Sequence, residues 1–250
     1  VAAVYAFART ADDIADENHD TIADNDPIRI RRLEEFQSQL DVSDASKLDP
    51  RWDWIFIACA DTIKKFSIPD SLFRDLISAF AQDVVKKRYA DFPELLDYCR
   101  RSANPVGRLA LLLHGFSDDE RFRMSDNICT ALQLANFWQD MSVDRLKNRI
   151  YIPESDWNGA DEAEIFADTA TARVREIVKF QVERTRGLFD AGEKLPSLLP
   201  FPLSLEIRAT LAGGRAILDK IQSQGFDTLS KRPAIGKLDK LRILLRALIP

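Results

Sequence analysis

The chain has 250 residues, 46% of them hydrophobic and 30% charged, which is enough apolar material for a sizeable core and speaks against a disordered chain. Thirty-five basic residues against 40 acidic ones leave a net charge of −5, so nucleic-acid binding by a broad basic field is excluded and any anionic ligand must be gripped by local cations or by metal. No run of about 18 uncharged apolar residues occurs, which excludes a transmembrane span.

Nine Gly, 11 Pro and no alternating apolar/polar runs bounded by turn residues predict an all-α fold. The first residues, Val1 to Ala8, are already in helical register without Met or an N-cap residue, so the chain is expected to begin inside a helix, with an upstream segment missing. Helices are predicted over 1–17, 27–40, 51–66, 70–87, 92–115, 118–145, 161–192, 203–224 and 238–247. Pro105 is expected to kink the fifth of these by removing a backbone donor. The middle of the sixth, Ile128 to Trp138, is apolar on nearly every side, as for a helix at the centre of a bundle. With no repeat or Ser/Gly linker, a single domain over 1–250 is expected. Cys59, Cys99 and Cys129 sit in separate apolar segments and read as buried small hydrophobes in a reducing, cytoplasmic setting.

Two of these helices carry acidic stripes. In the first, Tyr5, Arg9, Asp12 and Asp16 fall within an arc of roughly 60° at about 100° per residue, with Asp13 beside them. In the sixth, Gln133, Asn136, Asp140 and Asp144 follow spacings of three, four and four and share an arc of roughly 80°. Carboxylates one turn apart reach one hard cation together, and Mg²⁺ favours such oxygen ligands and bridges to phosphate oxygens. An acidic pair of this kind is more often a solvated face. The metal reading gains weight from Asn136, Asp140 and Asp144 lying on a helix whose other faces carry Leu132, Leu134, Phe137, Trp138 and Met141, because buried carboxylates require metal or cation partners. Two such stripes facing each other would hold several Mg²⁺ ions.

At these residues the sequence resembles the squalene/phytoene synthase family. Tyr5-x-Phe7-x-Arg9-x-x-Asp12-Asp13-x-x-Asp16-Glu17 looks like its first aspartate-rich motif, and Gln133-x-x-Asn136-x-x-x-Asp140-x-x-x-Asp144 with Arg149-x-Tyr151-x-Pro153 looks like its second. Between them Tyr98-Cys99-x-x-Ser102-Ala103-x-x-Val106-Gly107 resembles a small-residue helix of the family; the 203–224 helix and Lys231-Arg232-Pro233 complete the likeness. The resemblance implies an isoprenoid-synthase helical bundle with a central cavity, Mg²⁺ as cofactor and a prenyl diphosphate as substrate. It implies Asp12, Asp13, Asp16, Asn136, Asp140 and Asp144 as metal ligands, and Arg9, Arg149, Lys231 and Arg232 as diphosphate contacts. Tyr5, Tyr98 and Tyr151 are either hydrogen-bond donors to diphosphate and π-stabilisers of cations or ordinary core tyrosines. Ala103, Val106 and Gly107, with Ser102, either make room for a prenyl tail or permit close helix packing, and Gln133 would contact substrate or orient a metal ligand.

Local spelling around Arg9, Asn104 and Gln139 looks most like the bacterial hydroxysqualene synthase branch, in hopanoid biosynthesis. That likeness implies conversion of presqualene diphosphate and water to hydroxysqualene and pyrophosphate, without a hydride donor. The alternative is head-to-head condensation of prenyl diphosphates to presqualene diphosphate, squalene or a carotenoid precursor. His19 and His114 are too few and isolated for a zinc site, and the run Arg29-x-Arg31-Arg32 reads as a solvated face. The 238–247 helix, with leucines among Lys237, Lys240, Arg242 and Arg246, either packs on the bundle or rests on a membrane surface.

Overall fold

The computed structural model describes residues 1–15 and 26–248, so Asp16, Glu17 and His19 lie outside the described residues. Among the described residues every regular element is helical, as composition predicts. In chain order these are α1 (Ala2–Ala15), α2 (Asp26–Ser38), α3 (Asp53–Phe66), α4 (Ser71–Val85), α5 (Phe92–Ser102), α6 (Asn104–Leu113), α7 (Asp119–Gln139), α8 (Met141–Asp144), α9 (Glu162–Ile165), α10 (Ala172–Gly192), α11 (Leu203–Ser223) and α12 (Lys237–Leu248). The chain forms two compact units, one of residues Val1–Lys86 with Arg101–Ser117, the other of Lys87–Arg100 with Asp118–Pro250.

The first unit is organised around an aromatic nest. Phe7 of α1 has no solvent exposure and meets Phe36, Phe56 and Phe73 at ring-centroid separations of 5.1, 5.8 and 4.9 Å. The last two contacts are edge-on, the arrangement that the ring quadrupole favours. Phe36 also meets Trp52 edge-on at 5.1 Å, which makes Trp52 a core residue, whereas Trp54 is exposed. Ala11, four residues after Phe7, is also fully buried, so α1 presents a narrow buried stripe and leaves Tyr5 and Arg9 outside. Deleting the ring in Phe7→Ala strips contacts from three helices at once, and a loss of about 3–5 kcal/mol is expected in denaturant unfolding. Arg29 corrects the reading of its run as solvated: it donates to the Ala15 carbonyl at the end of α1 at 3.0 Å and pairs with Asp26.

Three long predicted helices are broken, each for a local reason. The 92–115 segment parts at Ala103 (φ −109°, ψ −45°), and Pro105 sits in the first turn of α6. There its missing N–H leaves no hydrogen bond unmade, so proline starts a helix instead of kinking one. The 161–192 segment contains two N-caps: Asp161 accepts from Glu164 N and Thr171 from Val174 N, and each begins its own helix, α9 and α10. The 118–145 segment stops at Gln139; α8 follows, then a 3₁₀ turn over Arg145–Lys147 that ends at Asn148 with a left-handed φ of 54°.

In the second unit α7 packs on α10 and α11. Trp138, fully buried, donates from Nε1 to Thr185 Oγ1 at 2.9 Å, and Thr185 passes the bond on to the Gln181 carbonyl at 2.8 Å. This chain gives the indole a partner inside the core, where an unmade bond is costly. Cys59 and Cys99 are buried as expected, and burial pushes both thiols up to about 12; Cys129 is only half-buried.

Candidate active site

In the first unit, Arg9 reaches forward along α1 to Asp12 and Asp13: Nη1 lies 3.1 Å from Asp12 Oδ2 and Nη2 lies 2.6 Å from Asp13 Oδ1. The i,i+3 and i,i+4 spacings that made the stripe readable also place the cation between the two carboxylates. Tyr5 is 69% exposed, so it is not a core tyrosine. Of the small-residue segment, Ala103 and Gly107 are half-buried and Val106 is exposed. The neighbouring Ser102 hydroxyl oxygen is buried and makes no hydrogen bond.

In the second unit the stripe crosses the break between α7 and α8 intact. Asp140 N donates to the Asn136 carbonyl at 2.9 Å and Asp144 N to the Asp140 carbonyl at 2.8 Å, so successive one-turn spacings survive. The stripe is not buried as sequence suggested: Asn136 is exposed, while Gln133, Asp140 and Asp144 are half-buried. The reason is that the apolar residues of α7 turn the opposite way, with Leu134, Phe137 and Trp138 inside.

Asp140 is held by a cation from far along the chain. Arg232 donates from Nε to Asp140 Oδ1 at 2.5 Å and from Nη2 to Oδ2 at 3.3 Å. This two-pronged bond, with Asp144 adding its field, holds the Arg232 guanidinium above its ordinary range. Gln139 fixes the segment that supplies the cation: buried, it donates from Nε2 to the Pro233 carbonyl at 2.6 Å. Lys231 is exposed beside it.

Next to this stripe lies a cluster of rings. Tyr151 stacks on Phe137 at 3.6 Å with 7° between planes, and Tyr98 meets Tyr89, Phe137 and Tyr151 at 5.7, 6.0 and 6.2 Å. Tyr98 is almost wholly buried and Tyr151 half-buried. A small pocket opens here, bounded by Phe137, Asp144, Arg149, Tyr151 and Ile165. Its polar wall is carried on the Asn148 turn, which Arg88 clamps: Nη1 donates to the Asn148 carbonyl at 2.6 Å and Nη2 to its Oδ1 at 2.8 Å. Arg88 also bonds Glu162 Oε1 at 2.5 Å and thereby holds that carboxyl below its ordinary range. Backbone bonds from Ile150 N to the Lys87 carbonyl and from Glu154 N to the Tyr89 carbonyl, at 3.0 and 2.8 Å, extend the clamp. In the sequence Gln139 stands out only through its local spelling and Arg88 not at all, because neither bond leaves a spacing signal.

The donor chemistry suits a hard divalent cation. Asp140 and Asp144 offer carboxylates and Asn136 an amide oxygen; Asp12 and Asp13 offer a second acidic pair. Among the described residues no three His, Cys, Asp or Glu side chains gather into one cluster, so water and substrate oxygens would complete any coordination shell, as Mg²⁺ commonly requires.

A family profile described as Squalene/phytoene synthase matches residues 1–239. The hydroxysqualene synthase of Sinorhizobium fredii is 31% identical over 245 residues, covering 96% of this chain and 80% of that protein. Phytoene synthase 1 of Arabidopsis thaliana is 28% identical over 250 residues; this chain is covered to 97% but spans only 57% of that relative's length. The squalene synthase HpnC of Alicyclobacillus acidocaldarius superposes with a TM-score of 0.79 at 39% identity, over 90% of this chain and 82% of that one.

Proposed function

The chain belongs to the squalene/phytoene synthase family, and from that premise we propose that it converts presqualene diphosphate and water to hydroxysqualene and pyrophosphate with Mg²⁺. The observation that carries the reading is the oxygen-rich stripe of exposed Asn136 and half-buried Asp140 and Asp144, with Arg232 poised on it and an aromatic wall beside it. Support for the branch comes from the 31% identical hydroxysqualene synthase. The reading takes residues 1–250 as one prenyl-synthase domain, acting in the cytoplasm, with no nucleic acid partner and a peripheral contact with the membrane that holds its greasy product.

By resemblance, Asp12, Asp13 and Asp16 on one stripe and Asn136, Asp140 and Asp144 on the other would hold Mg²⁺, which would supply charge that neutralises a departing diphosphate. Arg9, Arg149, Lys231 and Arg232 add cations toward the diphosphate, and Arg232 is already delivered to the stripe. Tyr98 and Tyr151, ring to ring with Phe137, offer π faces that stabilise a carbocation without trapping it as a nucleophile would. Gln133, one turn before the stripe, orients Asn136 or touches substrate. Ala103, Val106 and Gly107 leave volume for a hydrocarbon tail.

The second reading, head-to-head condensation of prenyl diphosphates, is favoured by the 28% identity to phytoene synthase. Incubating the protein with Mg²⁺ and either presqualene or farnesyl diphosphate, with and without NADPH, separates the two by mass spectrometry. Hydroxysqualene from presqualene diphosphate without NADPH is the expected product. Consumption of farnesyl diphosphate to a condensed diphosphate or a C30 or C40 hydrocarbon, with presqualene diphosphate left untouched, would establish the second reading instead.

A further inference from the structure

Helix α12 divides its residues between two opposite faces. One face docks: Asp239 receives Lys220 at 2.8 Å and the Gly236 amide at 2.8 Å, Ala247 is 1% exposed and Ile243 is half-buried. These residues hold α12 against the rest of its unit. The opposite face carries Leu238, Leu241, Leu244, Leu245 and Leu248, each between 54% and 73% exposed. At about 100° per residue the five fall within an arc of roughly 120°.

The edges of this stripe are basic. Lys240 lies on one side and Arg242 on the other, with Lys237 at the start of the helix, and all three are exposed. The only acid of α12, Asp239, is turned inward and neutralised by Lys220. On a chain of net charge −5 this is a local reversal of sign, placed around an apolar stripe. A second copy of the chain fits the stripe poorly, because a two-fold pairing would bring the same cations together at both rims. A bilayer with anionic headgroups fits both features: leucines enter the acyl boundary while Lys and Arg reach the headgroups.

We propose that α12 is a docking helix for membrane surfaces that carry anionic lipid. The proposal deepens the peripheral contact in the reading above and rests on that contact, not on the chemistry of the active site. The test is co-sedimentation of the purified protein with vesicles of phosphatidylcholine alone and of an equal mixture of phosphatidylcholine and phosphatidylglycerol. Wild type is expected to pellet with the mixed vesicles and to bind phosphatidylcholine at least about tenfold more weakly, since each cation near an anionic surface contributes roughly fivefold.

The double variant Leu241→Gln/Leu245→Gln is expected to lose about tenfold or more in binding, and Lys240→Glu a smaller factor, both with unchanged helix content by circular dichroism. Absence of pelleting with either vesicle, or pelleting indifferent to the leucine changes, would overturn the proposal. So would a concentration-dependent dimer that the same leucine changes dissolve, since a second copy would then be the occupant. Turnover of presqualene diphosphate in detergent solution, without vesicles, is expected to be the same in the double variant and wild type. Vesicle binding without turnover would fail the enzyme reading alone, and turnover without vesicle binding would fail the docking helix alone.

Discussion

Replacing Asp140 with asparagine is expected to lower turnover of the diphosphate substrate by about two to three orders of magnitude, with little change in the thermal midpoint. Asp140 is 30% exposed and its partner Arg232 49% exposed, and pairs so accessible to water contribute about 0–1 kcal/mol to folding. Asparagine keeps the shape and one accepting oxygen, and the backbone bond from Asp140 N to the Asn136 carbonyl does not involve the side chain. The negative charge is what changes, and in the proposed reaction that charge holds the cation that draws off the leaving group. Calorimetric titration with Mg²⁺ in the absence of substrate should show weakened metal binding in the same variant. Arg232→Gln should behave differently: freed of its bidentate competitor, Asp140 should bind Mg²⁺ up to about fivefold more tightly, while turnover still falls for want of a cation on the diphosphate. Full turnover in Asp140→Asn would remove the second stripe from the mechanism. Equal losses of metal affinity in both variants would show that Arg232 supports the stripe instead of competing for it.

The contrast between these variants follows from what sequence reveals and what it hides. Helical period is a fixed property of the backbone, so the spacings Asn136, Asp140, Asp144 and Tyr5, Arg9, Asp12, Asp16 were readable as faces, and the described residues of both keep them. The all-helical architecture was readable for the same reason, from what the Gly and Pro positions leave between them. The burial of those faces was not readable. Leu134, Phe137 and Trp138 surround the stripe in sequence, yet their side chains turn inward and leave Asn136 in solvent. Partners separated by many residues left no trace either: Arg232 on Asp140, Gln139 on the Pro233 carbonyl and Arg88 on Asn148 are tertiary choices that no local spacing encodes. Helix breaks fall between these extremes. Asp161 and Thr171 were ordinary N-cap residues inside one apolar pattern, and the periodicity that continued past them concealed two starts. In α12 the apolar pattern was visible, whereas which leucines the fold would leave uncovered was not.

Adjacent glycines in α11 give the clearest case of a difference invisible in sequence, and mutation should resolve it by sign. A Cβ on Gly213 would meet nothing within 4 Å, whereas one on Gly214 would lie 2.8 Å from Leu132 Cδ2 and closer still to the Phe189 ring. Phe189 is fully buried, so its ring has no open solvent to swing into. Gly213→Ala is therefore expected to stabilise by about 0.5–1 kcal/mol, through helix propensity and a less flexible unfolded chain. Gly214→Ala gains the same propensity but must overpack the seam where α11 meets α7 and α10, at a cost of about 1–3 kcal/mol; Gly214→Val should cost more. With about 2–4 °C of melting shift per kcal/mol for a chain of this size, opposite shifts of several degrees should separate the neighbours in calorimetric melts. Equal and positive shifts would mean that Phe189 yields to a methyl group and that the seam is looser than its contacts imply. The seam also bears on chemistry, because α7 carries Asn136 and leads directly into Asp140. A Gly214→Val variant that still folds should therefore lose turnover beyond what its unfolded fraction explains, while Gly213→Ala should not.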